Sequence, residues 1–390
     1  MIQQLTDQVQ GVLVNESDFN DERVTKVIDQ ILLTDDRFNH LGPGEKLQLS
    51  KDAFNRLRRY DVLQPLLDDD RVSEIMINGP HCVFIEQEGR ISKSPVTFDS
   101  VERLESIIQH IVSTVNRKVN RSHPIADARL LDGSRVNVVM GPLALGGPVM
   151  TIRKFPKQAL TMSQLVAYGT LSSEVADFLK DLVRRKYNLF ISGGTGSGKT
   201  TLLNALSAWI PKAERVITIE DSAELQIQGI ENMIRLEARE KSASKESALA
   251  ELIRTSLRMR PDRIIVGEVR GKEALDMLQA MNTGHEGSLS TGHANGMEDM
   301  LYRLESMVMS GSDLPAPVVK TLIASSIDIV VQLKRLPDGA RKLTEIGEVS
   351  RGENGRWTIQ PLFKLEEDGT YKLINDLANR DKWRLYGRSC

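Results

Sequence analysis

The 390-residue chain is long enough for two or three domains with real cores, and 40% hydrophobic with 27% charged residues is ordinary for a globular protein. A formal net charge of −2 and 5% aromatics argue against a global electrostatic hold on nucleic acid or a base-stacking surface. The two cysteines, Cys82 and Cys390, lie far apart, show no metal-ligand spacing and suit a reducing compartment.

Met1–Asp21 lacks the basic start and apolar core of a secretory signal. Residues 1–70 read as a helical appendage. Val24, Val27, Ile28, Ile31 and Leu32 share a face, and Gly42-Pro43-Gly44 breaks the run before a second helix over Glu45–Leu57. Arg56, Arg58 and Arg59 read as a solvated helix end rather than a lipid-binding patch. Residues 71–155 read as an α+β domain with an antiparallel sheet. Its strands are expected at Glu74–Asn78, Val83–Glu86, Arg90-Ile91, Ala128–Leu131, Arg135–Met140 and Val149–Phe155, with one amphipathic helix over Asp99–Val115. Asp132-Gly133 suits a tight hairpin turn. The apolar stretch Val136–Ile152 is too interrupted by Gly and Pro to cross a membrane. Residues 156–169 read as a linker.

From residue 170 strands and helices alternate, which predicts an α/β domain with a parallel sheet over 170–390. Strands are expected at Leu189–Ser192, Arg215–Glu220, Arg263–Glu268 and Gly287–Thr291. An antiparallel meander is expected from Asp328 to about residue 366.

Four segments carry the chemistry. Gly193-Gly194-Thr195-Gly196-Ser197-Gly198-Lys199-Thr200 fits G-x-x-x-x-G-K-[ST] between an apolar strand and the helix opening at Thr201. Its glycines let successive N–H groups turn toward one anion, and the helix N-terminus adds positive charge. Lys199 is expected to reach the β- and γ-phosphates of ATP and Thr200 to ligate Mg²⁺. The second segment is the strand ending in Glu220, Asp221 and Glu224; the third is the strand ending in Gly267-Glu268. Carboxylates at these strand ends can activate water or hold Mg²⁺, Glu268 directly or through water. His285 and His293 follow, each after a glycine, and an imidazole there can sense a γ-phosphate. Zinc finds no support, since neither cysteine is near and no H-E-x-x-H is present. Arg129, Arg135 and Arg153 are candidate charge-stabilising residues for phosphoryl transfer, weighed against simple pairing with Asp127 and Asp132.

Together these segments resemble the type II/IV secretion ATPase family, whose names for them are Walker A, Asp box, Walker B and His box, over about residues 60–340. Leu257-Arg258-Met259-Arg260-Pro261-Asp262-Arg263, Ala274–His285 and Pro124–Leu130 are most similar to the branch that powers Tad/Flp pilus assembly. The resemblance implies a RecA-like P-loop domain and a cytoplasmic homohexamer docked on an inner-membrane platform protein, touching the membrane only through partners. It implies ATP between two domains that open and close. It also implies Glu220 as the residue activating water and Glu268 as the one serving Mg²⁺; Gly267 is normal there. The competing readings are a RecA-like nucleic-acid motor and a nucleotide-gated scaffold. The first lacks basic, aromatic-interleaved loops, and the second conflicts with the four carboxylates present.

Overall fold

The computed structural model describes residues 1–14, 20–115, 117–155, 159–238, 245–352 and 355–387. Cys390 and residues 156–158 of the expected linker lie outside the described residues. The chain divides into two compact units, Met1–Lys157 and Gln158–Cys390.

The first unit opens with helices α1 (Ile2–Leu13), α2 (Asp21–Thr34), α3 (Pro43–Arg58) and the short α4 (Gln64–Asp68). The start of α2 follows from its sequence: the Asn20 side chain accepts from Arg23 N–H, and Asp21 and Glu22 sit in the first turn. Val24, Val27, Ile28 and Leu32 of α2 pack with Leu5, Val9 and Leu13 of α1 in a small core. The arginines at the end of α3 pair locally. Arg56 Nη1 lies 2.6 Å from Asp99, and Arg58 Nε lies 2.8 Å from Asp21.

Strands β1 (Val72–Asn78), β2 (Val83–Gln87), β3 (Arg90–Lys93), β4 (Ile125–Arg129), β5 (Arg135–Val139) and β6 (Val149–Arg153), with helix α5 (Val101–Ser113) between β3 and β4, complete this unit. The sheet order is β3-β2-β1-β6-β5-β4, antiparallel throughout. Alternate residues Val136, Val138, Met150 and Ile152 join Leu104, Ile107, Ile108 and Ile111 of α5 in a second core. The strand expected at Ala128–Leu131 lies earlier, at Ile125–Arg129. Leu131 instead stands in the turn, 94% exposed, because Asp132 Oδ1 accepts Ser134 N–H and closes a local turn there.

In the second unit the expected linker carries helix α6 (Met162–Ala167), which starts at a capping box of Thr161 and Gln164 and buries Met162 and Leu165 in the unit's core. Helix α7 (Ser173–Arg184) precedes β7 (Leu189–Gly193), and α8 (Lys199–Ser207) follows it. Next come β8 (Val216–Glu220), β9 (Met233–Glu237), α9 (Lys245–Ser256), β10 (Arg263–Val266), α10 (Glu273–Asn282), β11 (Leu289–Gly292), α11 (Met297–Gly311) and α12 (Ala316–Ser326). Strands β12 (Ile329–Arg335), β13 (Arg341–Arg351), β14 (Trp357–Leu365) and β15 (Tyr371–Leu373) lead to α13 (Asp381–Tyr386). One sheet holds all nine strands in the order β15-β14-β13-β12-β7-β11-β10-β8-β9. Strands β7, β8, β10 and β11 are buried along their whole length, as strands covered on both faces must be. The meander is therefore no separate layer: β12 pairs in parallel with β7, from Ile329↔Leu189 to Leu333↔Gly193, and extends the core sheet. The edge strand β9 was not expected from sequence, because Met233–Glu237 is half polar and only partly buried.

Candidate active site

Strands β7, β8, β10 and β11 run parallel, so their C-terminal ends deliver four loops to one edge of the sheet. After β7 the chain turns through Gly196 (φ +69°) and Gly198 (φ +96°), angles that a side chain would resist, and enters α8 at Lys199. Gly193 is needed for a different reason. A Cβ there would stand 2.5 Å from Ser197 Oγ and 2.6 Å from the Leu333 carbonyl. Lys199 is buried, and its Nζ donates to the Gly193 and Gly194 carbonyls at 3.1 and 3.0 Å. Ser197 Oγ is buried with no hydrogen-bond partner.

Glu220, at the end of β8, is buried against β10. Its Oε1 accepts the N–H groups of Glu224 and Leu225 at 2.8 and 2.9 Å, while Oε2 is buried with no hydrogen-bond partner. Burial pushes its carboxyl up to about 7, against the pull of those two N–H groups and of Arg235. Gly267 is a glycine because Glu220 fills the space beside it: a Cβ would meet Glu220 Cγ at 2.9 Å.

Glu268 is gripped from two sides. Arg270 donates to its Oε2 through Nε and Nη2 at 2.9 and 2.5 Å, and Arg270 Nη1 also lies 3.3 Å from Asp221. His293 Nε2 lies 2.5 Å from Oε1, close but not aligned as a hydrogen bond, since Oε1 keeps no hydrogen-bond partner. The other ring nitrogen, Nδ1, stands 3.2 Å from Lys199 Nζ, where it can only accept. Burial, with Lys199, Arg270 and Arg303 nearby, lowers the His293 pKa against the opposing effect of Glu268, so the neutral ring is favoured. Lys199, His293, Glu268, Arg270 and Asp221 thus form one chain of contacts from the loop after β7 to the loop after β8. An open cleft of about 640 Å³ adjoins it, lined by Gly194, Thr195, His293 and the Asp299, Tyr302 and Arg303 face of α11.

These features suit a polyphosphate: a glycine turn opening a helix, a buried ammonium held on the loop, and unpartnered buried oxygens on Ser197 and Glu220. Among the described residues no group of three or more His, Cys, Asp or Glu side chains is arranged to hold a metal alone. That is compatible with Mg²⁺, which is commonly held by one or two protein groups plus substrate phosphates and water. Thr200, in the first turn of α8, and the Arg270-gripped Glu268 are the protein groups at hand. Thr201 follows, half-buried.

Of the two expected histidines, one meets this cluster. His285 sits before β11, its Nδ1 3.3 Å from the Ala280 carbonyl, so only His293 stands at the strand ends that carry Glu220 and Glu268. Arg129, Arg135 and Arg153 belong to the first unit, where Arg135 lies directly opposite both Arg129 and Arg153 in a row across β4, β5 and β6. Three arginines of the second unit were missed. Arg270 is two residues past Glu268. Arg335 and Arg341 flank the β12–β13 turn, with Arg341 Nε donating to the Gly196 carbonyl at 2.9 Å. A signal for these two existed: Arg335-Leu-Pro-Asp-Gly-Ala-Arg341 matches Arg129-Leu-Leu-Asp-Gly-Ser-Arg135 in spacing and in five of its residue types.

The family model described as "Type II/IV secretion system protein" matches residues 57–374. The chain belongs to the type II/IV secretion system protein family. Conjugal transfer protein TrbB of Rhizobium radiobacter is 32% identical over 314 residues, covering 79% of this chain and 93% of TrbB. A longer protein of Methanocaldococcus jannaschii is 43% identical over 252 residues, 62% of this chain and 35% of its own length. The chain thus spans about a third of that relative and nearly all of TrbB. Among solved structures, the ATPase DotB of Yersinia pseudotuberculosis superimposes with a TM-score of 0.56 at 19% identity, over 73% of this chain and 77% of DotB. That likeness shows a shared mixed α/β fold. No helix among the described residues of this family member is long and apolar enough to cross a membrane.

Proposed function

We propose that this chain is a motor ATPase with a RecA-like P-loop domain, driving type IV pilus assembly of the Tad/Flp kind, and its retraction, or type II/IV secretion. The observation that carries this reading is the gathering of Lys199, Glu220, Glu268 and His293 at the C-terminal ends of adjacent parallel strands, beside a glycine turn suited to phosphate. Six copies form a ring in the cytoplasm, held at the inner face of the membrane by a platform protein and without nucleic acid. Residues 1–70, 71–155 and 170–390 act as helical, α+β and ATPase parts, with 156–169 joining the last two.

ATP supplies the phosphoryl group, and Mg²⁺ the charge that offsets its departure. The backbone of Gly193–Thr201 binds and orients the phosphates. Lys199 leaves its carbonyl partners for a phosphate oxygen. Glu220, deprotonated, takes a proton from the attacking water through Oε2. Glu268, directly or through water, and the Thr200 hydroxyl would hold Mg²⁺. His293, joined to both Lys199 and Glu268, registers loss of the γ-phosphate and passes it to the loop after β11. Arg135 and Arg153 add cationic charge to the transition state, within one chain or across a subunit boundary.

The test is Mg²⁺-dependent ATP turnover of the full chain beside Lys199→Ala. The parent should hydrolyse ATP and the variant should not. Equal turnover in both would remove the assignment. Strong stimulation by DNA would favour the nucleic-acid motor instead.

A further inference from the structure

The hairpin between β12 and β13 overhangs the glycine turn. β12 pairs with β7 as far as Leu333↔Gly193, then runs on through Lys334 and Arg335 where β7 has ended. The missing Cβ of Gly196 would lie 3.7 Å from Arg335 Nη1, and that of Gly198 3.5 Å from Arg341 Cδ. Arg341 Nε holds the Gly196 carbonyl at 2.9 Å. Both arginines are exposed and directly opposite each other, and the next cross-strand pair is Lys334↔Lys342. Like charges placed directly opposite destabilise an antiparallel pair. The hairpin's one acid, Asp338, accepts the Ala340 N–H at 2.9 Å and spans the turn. Successive pairs point to opposite faces, so Lys342 turns to the Gly169 carbonyl while Arg335 and Arg341 bring two guanidinium groups against a turn shaped for phosphate.

We propose that Arg335 and Arg341 form the cationic wall of the nucleotide site on the side of Gly196 and Gly198. Arg335 contacts the α- and β-phosphates of a nucleoside di- or triphosphate. Arg341 is a positioning residue: by holding the Gly196 carbonyl it turns the neighbouring N–H groups toward the anion. This rests on the ATP reading above. The α- and β-phosphates are common to ADP and ATP and do not change bonding partners when the γ-phosphate leaves. The pair therefore contributes binding that is equal before and in the transition state, which appears in KM and not in kcat.

The experiment compares Arg335→Ala, Arg341→Ala, Arg335→Lys and Arg341→Lys in the full chain, with Lys372→Ala on β15 as a control for loss of one exposed positive charge. Calorimetry with Mg-ADP and steady-state ATP turnover are the readouts, alongside melting temperature without nucleotide. Each Ala variant should bind Mg-ADP about tenfold to a hundredfold more weakly, the scale of one hydrogen bond to a charged group, with KM for ATP raised in step. The loss should fall on KM rather than kcat, melting should match the parent, and each Lys variant should recover part of the affinity. Unchanged Mg-ADP binding in both Ala variants would overturn the inference, as would a loss confined to kcat or one matched by Lys372→Ala. A parent chain that binds neither nucleotide overturns this and the ATP reading together. A parent that binds, fails on Lys199→Ala and ignores the hairpin variants overturns this inference alone.

Discussion

The two hairpins that share Arg-Leu-x-Asp-Gly-x-Arg, one in each unit, are nearly the same object locally. In each, the glycine takes a positive φ, +91° at Gly133 and +88° at Gly339, and donates to the leucine carbonyl at 3.0 and 2.9 Å. In each, the aspartate Oδ1 accepts the N–H two residues on at 2.9 Å, and the two arginines stand opposite each other. Their neighbours differ. Arg135 faces a third arginine, Arg153, across the next antiparallel strand, while Arg341 reaches the glycine turn because β12 adds in parallel beside β7. A turn motif thus fixes where two cations stand relative to each other; strand order decides which chemistry they serve.

The strongest way to break this comparison is to ask which kinetic constant each hairpin moves. If the first hairpin, with the Arg153 that faces it, stabilises transferring charge, Arg135→Ala or Arg153→Ala should lower kcat by about 10³-fold while nucleotide still binds, whereas the second hairpin acts on KM. Effects of both hairpins on the same constant would erase the distinction.

Glu220→Gln comes next, with an expected loss of about 10²-fold in kcat and retained ATP binding. Its pH behaviour sharpens the point. A base must be deprotonated, so turnover of the parent should fall as pH drops below about 7, and the variant should lose that limb. Stability runs the other way. Because burial raises the folded pKa from 4.5 to about 7, Glu220's favourable contribution is complete below 4.5 and is lost as pH rises through 7. Glu220→Gln should therefore be more stable to unfolding than the parent at pH 8, by on the order of 1–3 kcal/mol, and not at pH 4.

The smallest expected effect separates fold from site within the hairpins. Gly133→Ala and Gly339→Ala should each cost about 1 kcal/mol, because both positions need positive φ, and urea unfolding reads this directly. Only Gly339→Ala should also raise KM for ATP, since only that turn sets the arginines beside Gly196. A KM change from Gly133→Ala alone would reverse the roles drawn here.

The sequence by itself determined the glycine turn, the strands leading to Glu220 and Glu268, the α5 helix and the Asp132-Gly133 turn. Each depends on neighbours a few residues away: apolar runs for buried strands, spacing for helices, glycine for positive φ. It placed His285 and His293 on either side of an expected strand, which β11 bears out, yet could not say that only His293 would stand beside Lys199 and Glu268. Only the tertiary structure decided that the meander joins the core sheet, that Arg335 and Arg341 overhang the turn, and that Gly267 makes room for Glu220. Those facts arise from pairing and packing between residues tens to more than a hundred positions apart, and no local pattern encodes the partner. The shifted carboxyl of Glu220 belongs with them, because desolvation depends on what covers a side chain and not on its neighbours in sequence.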